Sequence, residues 1–524
     1  MGIEMKEKTQ NTNKRKRAGK ITAIVIMVLA CVIFFTTVWF LRKYDDIRLD
    51  QILYQIQAPA DGTPARYSGR AVGHVAAWSI MAATGFFLIY MLVSGRIKKL
   101  LDKSVRYGKY VQTKVCEFFR KHYIILSSGL LVFALLFFVI QLKVVTYVIT
   151  TTTPSDFIEQ HYVKPEQSLL TFPEQKRNVI YILLESMENT YAQGDIDGDG
   201  KPDNYIPELA QLADSYINFS ESEGLGGALN YDGTTWTAAA IVSQTSGMPV
   251  KVPLMSGNFG GEDVPYMPGT VSIGSLLQEQ GYKQVFLMGS DAGFGGRRDY
   301  IEEHGNYEIR DTKAMIAAGK LPEGYAVWWG YEDIKLFDYA KETLTELAAQ
   351  DQPFNLTMLT ADTHFPDGYI CENCENQYDS QYANVLSCSS AMVYELVTWI
   401  QQQDFYENTT IIISGDHLTM DPQFLENIDE NYTRTVYNCI INPAPGLDCS
   451  TEQIKNRQFG VFDMFPTTLA AMGVKIEGER LALGTNLFSD EKTLTEQYGR
   501  DYLNEELQKN SDFYNNKILY VTEQ

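Results

Sequence analysis

The stretch Ile411-Ile412-Ile413-Ser414-Gly415-Asp416-His417-Leu418 constrains this chain more than any other. A short β-branched run reads as a buried strand, and this one stops abruptly at a carboxylate and an imidazole. The pattern recurs. Asn178 to Leu184 runs into Glu185; Gln284 to Met288 runs towards Asp291 and the Arg297-Arg298 pair; Phe354 to Leu359 runs into Asp362-Thr363-His364. In an open α/β sheet, ligands bind beyond the carboxyl ends of the strands. Four apolar strands, each leaving an acid, an imidazole or a guanidinium at that end, predict one metal-and-anion site on a three-layer α/β/α domain. Taken singly, each is equally well a polar strand end that caps a helix.

Ahead of this pattern the chain is organised differently. Residues 1–20 are polar and carry Lys14-Arg15-Lys16-Arg17, and Ile21 to Leu41 is then apolar enough to span a bilayer. Further apolar runs cover about 71–93 and about 123–149, the last interrupted by Gln141 and Lys143. The loop 95–122 is rich in Lys and Arg, with only Asp102 and Glu117 against them. Basic segments stay in the cytoplasm, so tail and loop agree on three spans that deliver everything after about 150 to the outer face. A cleaved signal peptide is the alternative for the first run. No small-residue cleavage site follows it, and Leu41-Arg42-Lys43-Tyr44 reads as a stop. The expected organisation is therefore a basic tail (1–20), a membrane anchor (21–150), a linker (151–177) with Pro154, Pro165 and Pro173, the α/β domain (178–490), and a helical tail (491–524). The formal net charge of -21, with no basic stripe in the main domain, argues against a nucleic-acid partner. Cysteines on the outer face can oxidise, and Cys374–Cys388 and Cys439–Cys449 are the expected pairs, with Cys371 left over.

Glu185, Asp416 and His417 offer hard oxygen and imidazole ligands, a set suited to Mn²⁺ or Zn²⁺. Asp232-Gly233-Thr234-Thr235-Trp236-Thr237 precedes a helical run, which places Thr234 at or before the first turn. There the free backbone N–H groups and the dipole favour a phosphate, and a metal-bound hydroxyl is acidic enough to attack it. An N-cap is the plain reading of Thr234, and Thr235 and Thr237 are rival nucleophiles. His364 is placed to protonate a leaving alkoxide or to bind phosphate, and Arg297 follows two glycines that let backbone approach a ligand. Separately, Asp195, Asp197, Asp199, Gly200 and Asp203 resemble the start of a Ca²⁺ loop, although the twelfth position is Ile206 instead of glutamate.

With these residues in view, the chain resembles the lipoteichoic acid synthase and phosphoglycerol transferase family of the sulfatase/alkaline phosphatase superfamily. The resemblance covers roughly 178–480. It rests on Leu184-Glu185-Ser186, on Gly233-Thr234 with Gly247-Met248-Pro249, on Asp362-Thr363-His364-Phe365-Pro366-Asp367-Gly368, and on Ser414-Gly415-Asp416-His417-Leu418. The motifs are most similar to the phosphoglycerol transferases of osmoregulated periplasmic glucans. The resemblance implies a Mn²⁺-type ion (or Zn²⁺ or Mg²⁺) on Glu185, Thr234, Asp416 and His417, with Thr234 as nucleophile. It also implies substrate contacts from Arg297, Trp329, Asp362 and His364. The implied reaction moves phosphoglycerol from phosphatidylglycerol to an envelope glycan or glycolipid through a phospho-threonine. A phosphoethanolamine transferase, a phosphodiesterase and a catalytically inactive scaffold are the alternatives. Lipoteichoic acid synthases carry five spans against three here, and the glucan-modifying enzymes carry a longer C-terminal region, so the acceptor stays open. No Cys/Ser-x-Pro-x-Arg stretch is present, so formylglycine chemistry is not implied.

Overall fold

The computed structural model describes residues 2–44, 47–62, 69, 72–82, 84–85, 108–255, 257–447 and 449–521. They form two units, one of residues 1–49 and 64–147, the other of residues 50–63 and 148–524. The first part of the chain supplies helices α1 (Gly2–Lys43), α2 (Leu49–Gln57) and α3 (Gly108–Gln141). α1 and α3 build the first unit and pack together, with Phe34 against Phe133 and Phe137. α1 is unbroken through the basic tail. Among the described residues, two stretches are long and apolar enough to cross a membrane, Arg17–Lys43 and Lys121–Gln141. Of the expected second span, Val72–Ala82 is helical; most of the remainder, and residues 95–107 of the basic loop, lie outside the described residues. The third run breaks where its polar residues interrupt it: Lys143 takes a φ of 49°, and a short helix, Val144–Thr152, follows.

The second unit is built on a mixed sheet. Its strands are β1 (Asn178–Leu184), β2 (Gly227–Ala228), β3 (Lys283–Met288), β4 (Glu308–Arg310), β5 (Phe354–Leu359), β6 (Thr409–Gly415) and β7 (Val436–Ile441). Among the described residues their order is β2-β7-β6-β1-β5-β3-β4, parallel from β6 to β4 and antiparallel at β7 and β2. The central strands β1, β5 and β6 are buried along their whole length and predominantly apolar, because both faces are covered. Val179, Tyr181, Leu183 and Ile412 face one core, and Ile180, Ile182, Leu184, Ile411 and Ile413 face the other. This alternation is what makes three layers, as the sequence predicts.

Register sets the site. Leu184 on β1 lies opposite Gly415 on β6, and Leu183 lies opposite Leu359 on β5. Glu185, Asp416 and the Thr360–His364 segment therefore leave the sheet at the same edge. The helices that serve this edge are α4 (Thr237–Ser246), α5 (Asp333–Ala348) and α6 (Gln381–Gln401).

Residues 151–177 are not a free linker. Ser155 N donates to Asn510 O, Leu170 and Thr171 pair with Ile476 and Lys475, and Arg177 is buried against Thr409 and Asn442. The segment lacks periodicity because it runs as an irregular strap over the domain. The expected tail 491–524 is likewise part of the core. Leu494, Leu503, Tyr514 and Ile518 are buried, and Tyr514 donates its hydroxyl to Pro249 O. Most of its charged residues are exposed, and the buried Glu506 accepts from Ser155 Oγ.

Candidate active site

Glu185, Asp416 and His417 form one buried cluster. His417 Nε2 stands 3.7 Å from Glu185 Oε1 and 3.5 Å from Asp416 Oδ2. Neighbouring backbone and side-chain groups hold each of them. Ser186 N and His417 N both donate to Asp416 Oδ1, and Ser186 Oγ donates to Glu185 Oε1. His417 Nδ1 meets Leu418 O at 2.8 Å, so that nitrogen carries the proton and Nε2 presents its lone pair inward. Asp416 Oδ2 is buried and has no hydrogen-bond partner. An orphaned carboxylate oxygen of this kind is costly unless a cation satisfies it.

The threonine that completes the cluster is Thr237. Its Oγ1 donates to Glu185 Oε2 at 3.2 Å and lies 3.4 Å from His417 Nε2. Thr234, the expected nucleophile and ligand, is elsewhere. Its hydroxyl is fully buried, donates to Tyr231 O at 2.8 Å and accepts from Tyr231 N at 3.0 Å. It closes the turn ahead of α4, and Thr235 accepts from Gln51. The correction follows from where the helix begins. Trp236 is the N-cap, in extended conformation, so Thr237 is the first helical residue and Thr234 lies a turn earlier. No side chain caps α4, which leaves its first N–H groups for an anion.

Charges here are interdependent. Burial works against ionised Glu185, but His364, His417 and two hydroxyl donors outweigh it and hold the carboxyl below its usual range. Burial, then Glu185, pushes Asp416 up to about 7. Burial also opposes a charged His417, yet Asp416 and Glu185 raise it. Two buried carboxyls around one imidazole, with an unmatched oxygen, fit a divalent ion in chemistry and in charge.

Arg297 is buried, with Nε on Phe294 O and Nη2 on Asp291 O, so Nη1 is left unused by those bonds. Arg298 is a different case: it pairs with Asp311 and Glu302. The guanidinium of Arg297 lies 5.6 Å from the Phe294 ring, Phe294 lies 5.6 Å from Trp329, and Trp329 lies 4.5 Å from His364. These four side chains form one continuous wall. Asp362 does not join it. Asp333 N donates to its Oδ2 while Asp362 N donates to Asp333 Oδ2, a reciprocal brace that holds the β5 loop to α5. Burial, with repulsion from Asp333, raises its carboxyl well above the usual range.

Gly295 and Gly296 take φ of 67° and 70°, where glycine is needed, but what approaches them is protein. Tyr54 donates its hydroxyl to Gly295 O at 2.6 Å, and Gly295 N donates to Pro59 O. A Cβ on Gly296 would meet Phe259 O at 2.1 Å. Sequence reasoning missed the α2 segment entirely. Its signal is the helical spacing of Leu49, Ile52, Leu53 and Ile56 in a loop of mixed charge. Gln244 was missed too: it donates to Gly415 O and Asp416 O and so fixes the end of β6.

In the acidic loop, Asp195, Asp197 and Asp203 gather their carboxylates, and Asp199 turns to Lys201. Neither expected disulfide is present. Cys439 is buried on β7 near Leu212 O and is not bridged to Cys449, and Cys371 lies between Cys374 and Cys388.

Residues 177–474 match the sulfatase family model. Phosphoglycerol transferase I of Xanthomonas campestris pv. campestris is 30% identical over 317 residues, which is 59% of this chain and 42% of that protein. The Citrobacter koseri phosphoglycerol transferase I is 30% identical over 283 residues, 52% of this chain and 35% of that protein. The chain thus matches less than half the length of these curated relatives. Among solved structures, the lipoteichoic acid synthase LtaP from Listeria monocytogenes aligns with a TM-score of 0.47 at 17% identity, over 64% of this chain and 80% of that one.

Proposed function

Because the chain belongs to the sulfatase family, we propose that its cluster is the centre of a membrane phosphoglycerol transferase with Thr237 as nucleophile. The single observation that carries this reading is Thr237 at the first turn of an uncapped helix, within 3.4 Å of His417 and 3.2 Å of Glu185. Glu185, Thr237, Asp416 and His417 would hold a divalent ion of the Mn²⁺ type. When bound, such an ion makes a hydroxyl more acidic and offsets charge on a transferring phosphoryl group.

The donor in this reading is phosphatidylglycerol. Thr237 Oγ1 attacks its phosphorus, and Glu185 Oε2 accepts the hydroxyl proton. The bond to diacylglycerol breaks, and His364 gives that alkoxide its proton. Arg297, with Nη1, and the first N–H groups of α4 hold the phosphoryl oxygens. A hydroxyl of a glycan or glycolipid then attacks the phosphorus and gives its proton to His364; the bond to Thr237 Oγ1 breaks, and that oxygen recovers its proton from Glu185.

The segment directly after the first apolar stretch belongs to the catalytic unit, since Asp50–Thr63 clusters with Val148–Gln524. By the distribution of Lys and Arg in the sequence, the domain is assigned in this reading to the extracytoplasmic side. A third crossing is proposed from the apolar sequence run 71–93, between the stretches Arg17–Lys43 and Lys121–Gln141. Asp195, Asp197 and Asp203 are assigned to a structural Ca²⁺.

The test is the intact mass of the full-length protein in detergent after incubation with Mn²⁺ and phosphatidylglycerol, beside Thr237→Ala. A glycerophosphate adduct on the wild type alone, mapped to Thr237, is the expected result. An adduct only from phosphatidylethanolamine would replace the donor, and an adduct on another residue would remove the nucleophile assignment.

A further inference from the structure

Cys371, Cys374 and Cys388 converge below the loop that carries His364. Cys371 Sγ lies 3.6 Å from Cys374 Sγ and 3.7 Å from Cys388 Sγ, and all three sulfurs fall within 4.8 Å of one another. Bonded disulfide sulfurs stand about 2 Å apart. Thiolates on one zinc ion, at about 2.3 Å each, stand about 3.8 Å apart in a tetrahedral site. The observed spacing is that of ligands around a common centre. A disulfide between any two would also leave the third thiol against it, free to exchange. One cation satisfies all three.

The local chain is built for this. Cys371-Glu372-Asn373-Cys374 folds as a turn in which Cys374 N donates to Cys371 O at 3.2 Å, so both sulfurs project to one side. Cys388 comes from α6, one turn beyond Asn384. Asn384 binds the same segment, accepting from Gln377 N and Tyr378 N and donating to Tyr378 O. Cys371 and Cys388 are buried and Cys374 is half-buried, so an open fourth position would lie towards solvent.

We propose that Cys371, Cys374 and Cys388 form a second metal site, a thiolate tripod for a zinc-class thiophilic cation, separate from the oxygen-and-imidazole cluster. The ion staples the segment after His364 to α6. The chain from His364 to the tripod is short, and Tyr369 N donates to Asp362 O at its midpoint. This proposal does not depend on the donor or the nucleophile.

X-ray absorption of zinc in the full-length protein, purified in detergent without chelators, tests it directly. Sulfur scatterers at about 2.3 Å are expected. Cobalt loading should add a thiolate-to-cobalt charge-transfer absorption. That band should vanish in Cys371→Ser/Cys388→Ser and persist in Glu185→Gln, which disables the other cluster. Only nitrogen and oxygen scatterers around zinc in the wild type would overturn the proposal. So would a disulfide mapped among these cysteines in protein alkylated as the cells are lysed. The wild-type spectrum decides even if the double variant does not fold.

Discussion

Thr234→Ala and Thr237→Ala should separate stability from chemistry. Thr234 Oγ1 bonds both backbone groups of Tyr231 in a fully buried turn, and Asn230 Nδ2 also points at it from 3.4 Å. Alanine there leaves Tyr231 N–H without its acceptor, at a cost of about 1–3 kcal/mol, and a small cavity adds to it. Activity per folded molecule should stay within about tenfold, since the hydroxyl touches none of Glu185, Asp416 or His417. Thr237→Ala should do the reverse. Its bonds are the longer ones to Glu185 and His417, so stability should change by less than about 1 kcal/mol. Turnover should fall by at least about 10³-fold, equivalent to some 4 kcal/mol of transition-state stabilisation. Denaturant melts of the full-length protein, with lipid turnover normalised to the folded fraction, give both numbers. A folded Thr234→Ala protein without activity, beside an active Thr237→Ala protein, would refute the reasoning from helix phase.

Metal affinity should weaken as pH falls below about 7. Folded Asp416 holds its proton up to about 7, whereas an unfolded aspartate loses it near ~3.9, so protons compete for the site across this window. By the same sign, the metal-free protein should lose this group's contribution to stability as pH rises between those values. Titration calorimetry from pH 5 to 8 showing constant affinity would count against it. Tyr54→Phe should cost about 1–3 kcal/mol, because Gly295 O loses its buried donor. Since Gly295 lies two residues before Arg297, it should also raise KM for the lipid donor, and a variant with unchanged kinetics would show the α2 contact to be structural only. Added Ca²⁺ should raise the melting temperature of the wild type but not of Asp203→Ala, and equal shifts would remove the acidic loop as a calcium site.

The lesson of the threonines applies more widely. Glu185, Asp416, His417 and His364 stand out in the sequence as candidates because each closely follows an apolar strand, and Arg297 because two glycines precede it. Thr234 and Thr237 lie three residues apart in a run of Thr, Gly and Trp, and only the position of the N-cap at Trp236 distinguishes them. Asp362 carries the composition of a ligand, yet its bonds to Asp333 make it a brace. Its partner lies on a separate helix, which no local pattern reveals.

The amino-acid order alone determined the two-sided apolar strands, their polar ends and hence the layered α/β domain with a site at one edge, because burial on both faces demands an unbroken apolar run. It also determined the apolar anchor segments ahead of that domain. What the tertiary structure decided is everything that depends on distant chain segments meeting. The α2 segment closes on Gly295, the strap and tail complete the core, and three cysteines gather where a pair was expected. The cysteine contacts span 3 and 17 positions and the Tyr54–Gly295 contact 241, and such partners are selected by packing and register, which leave no period in the sequence.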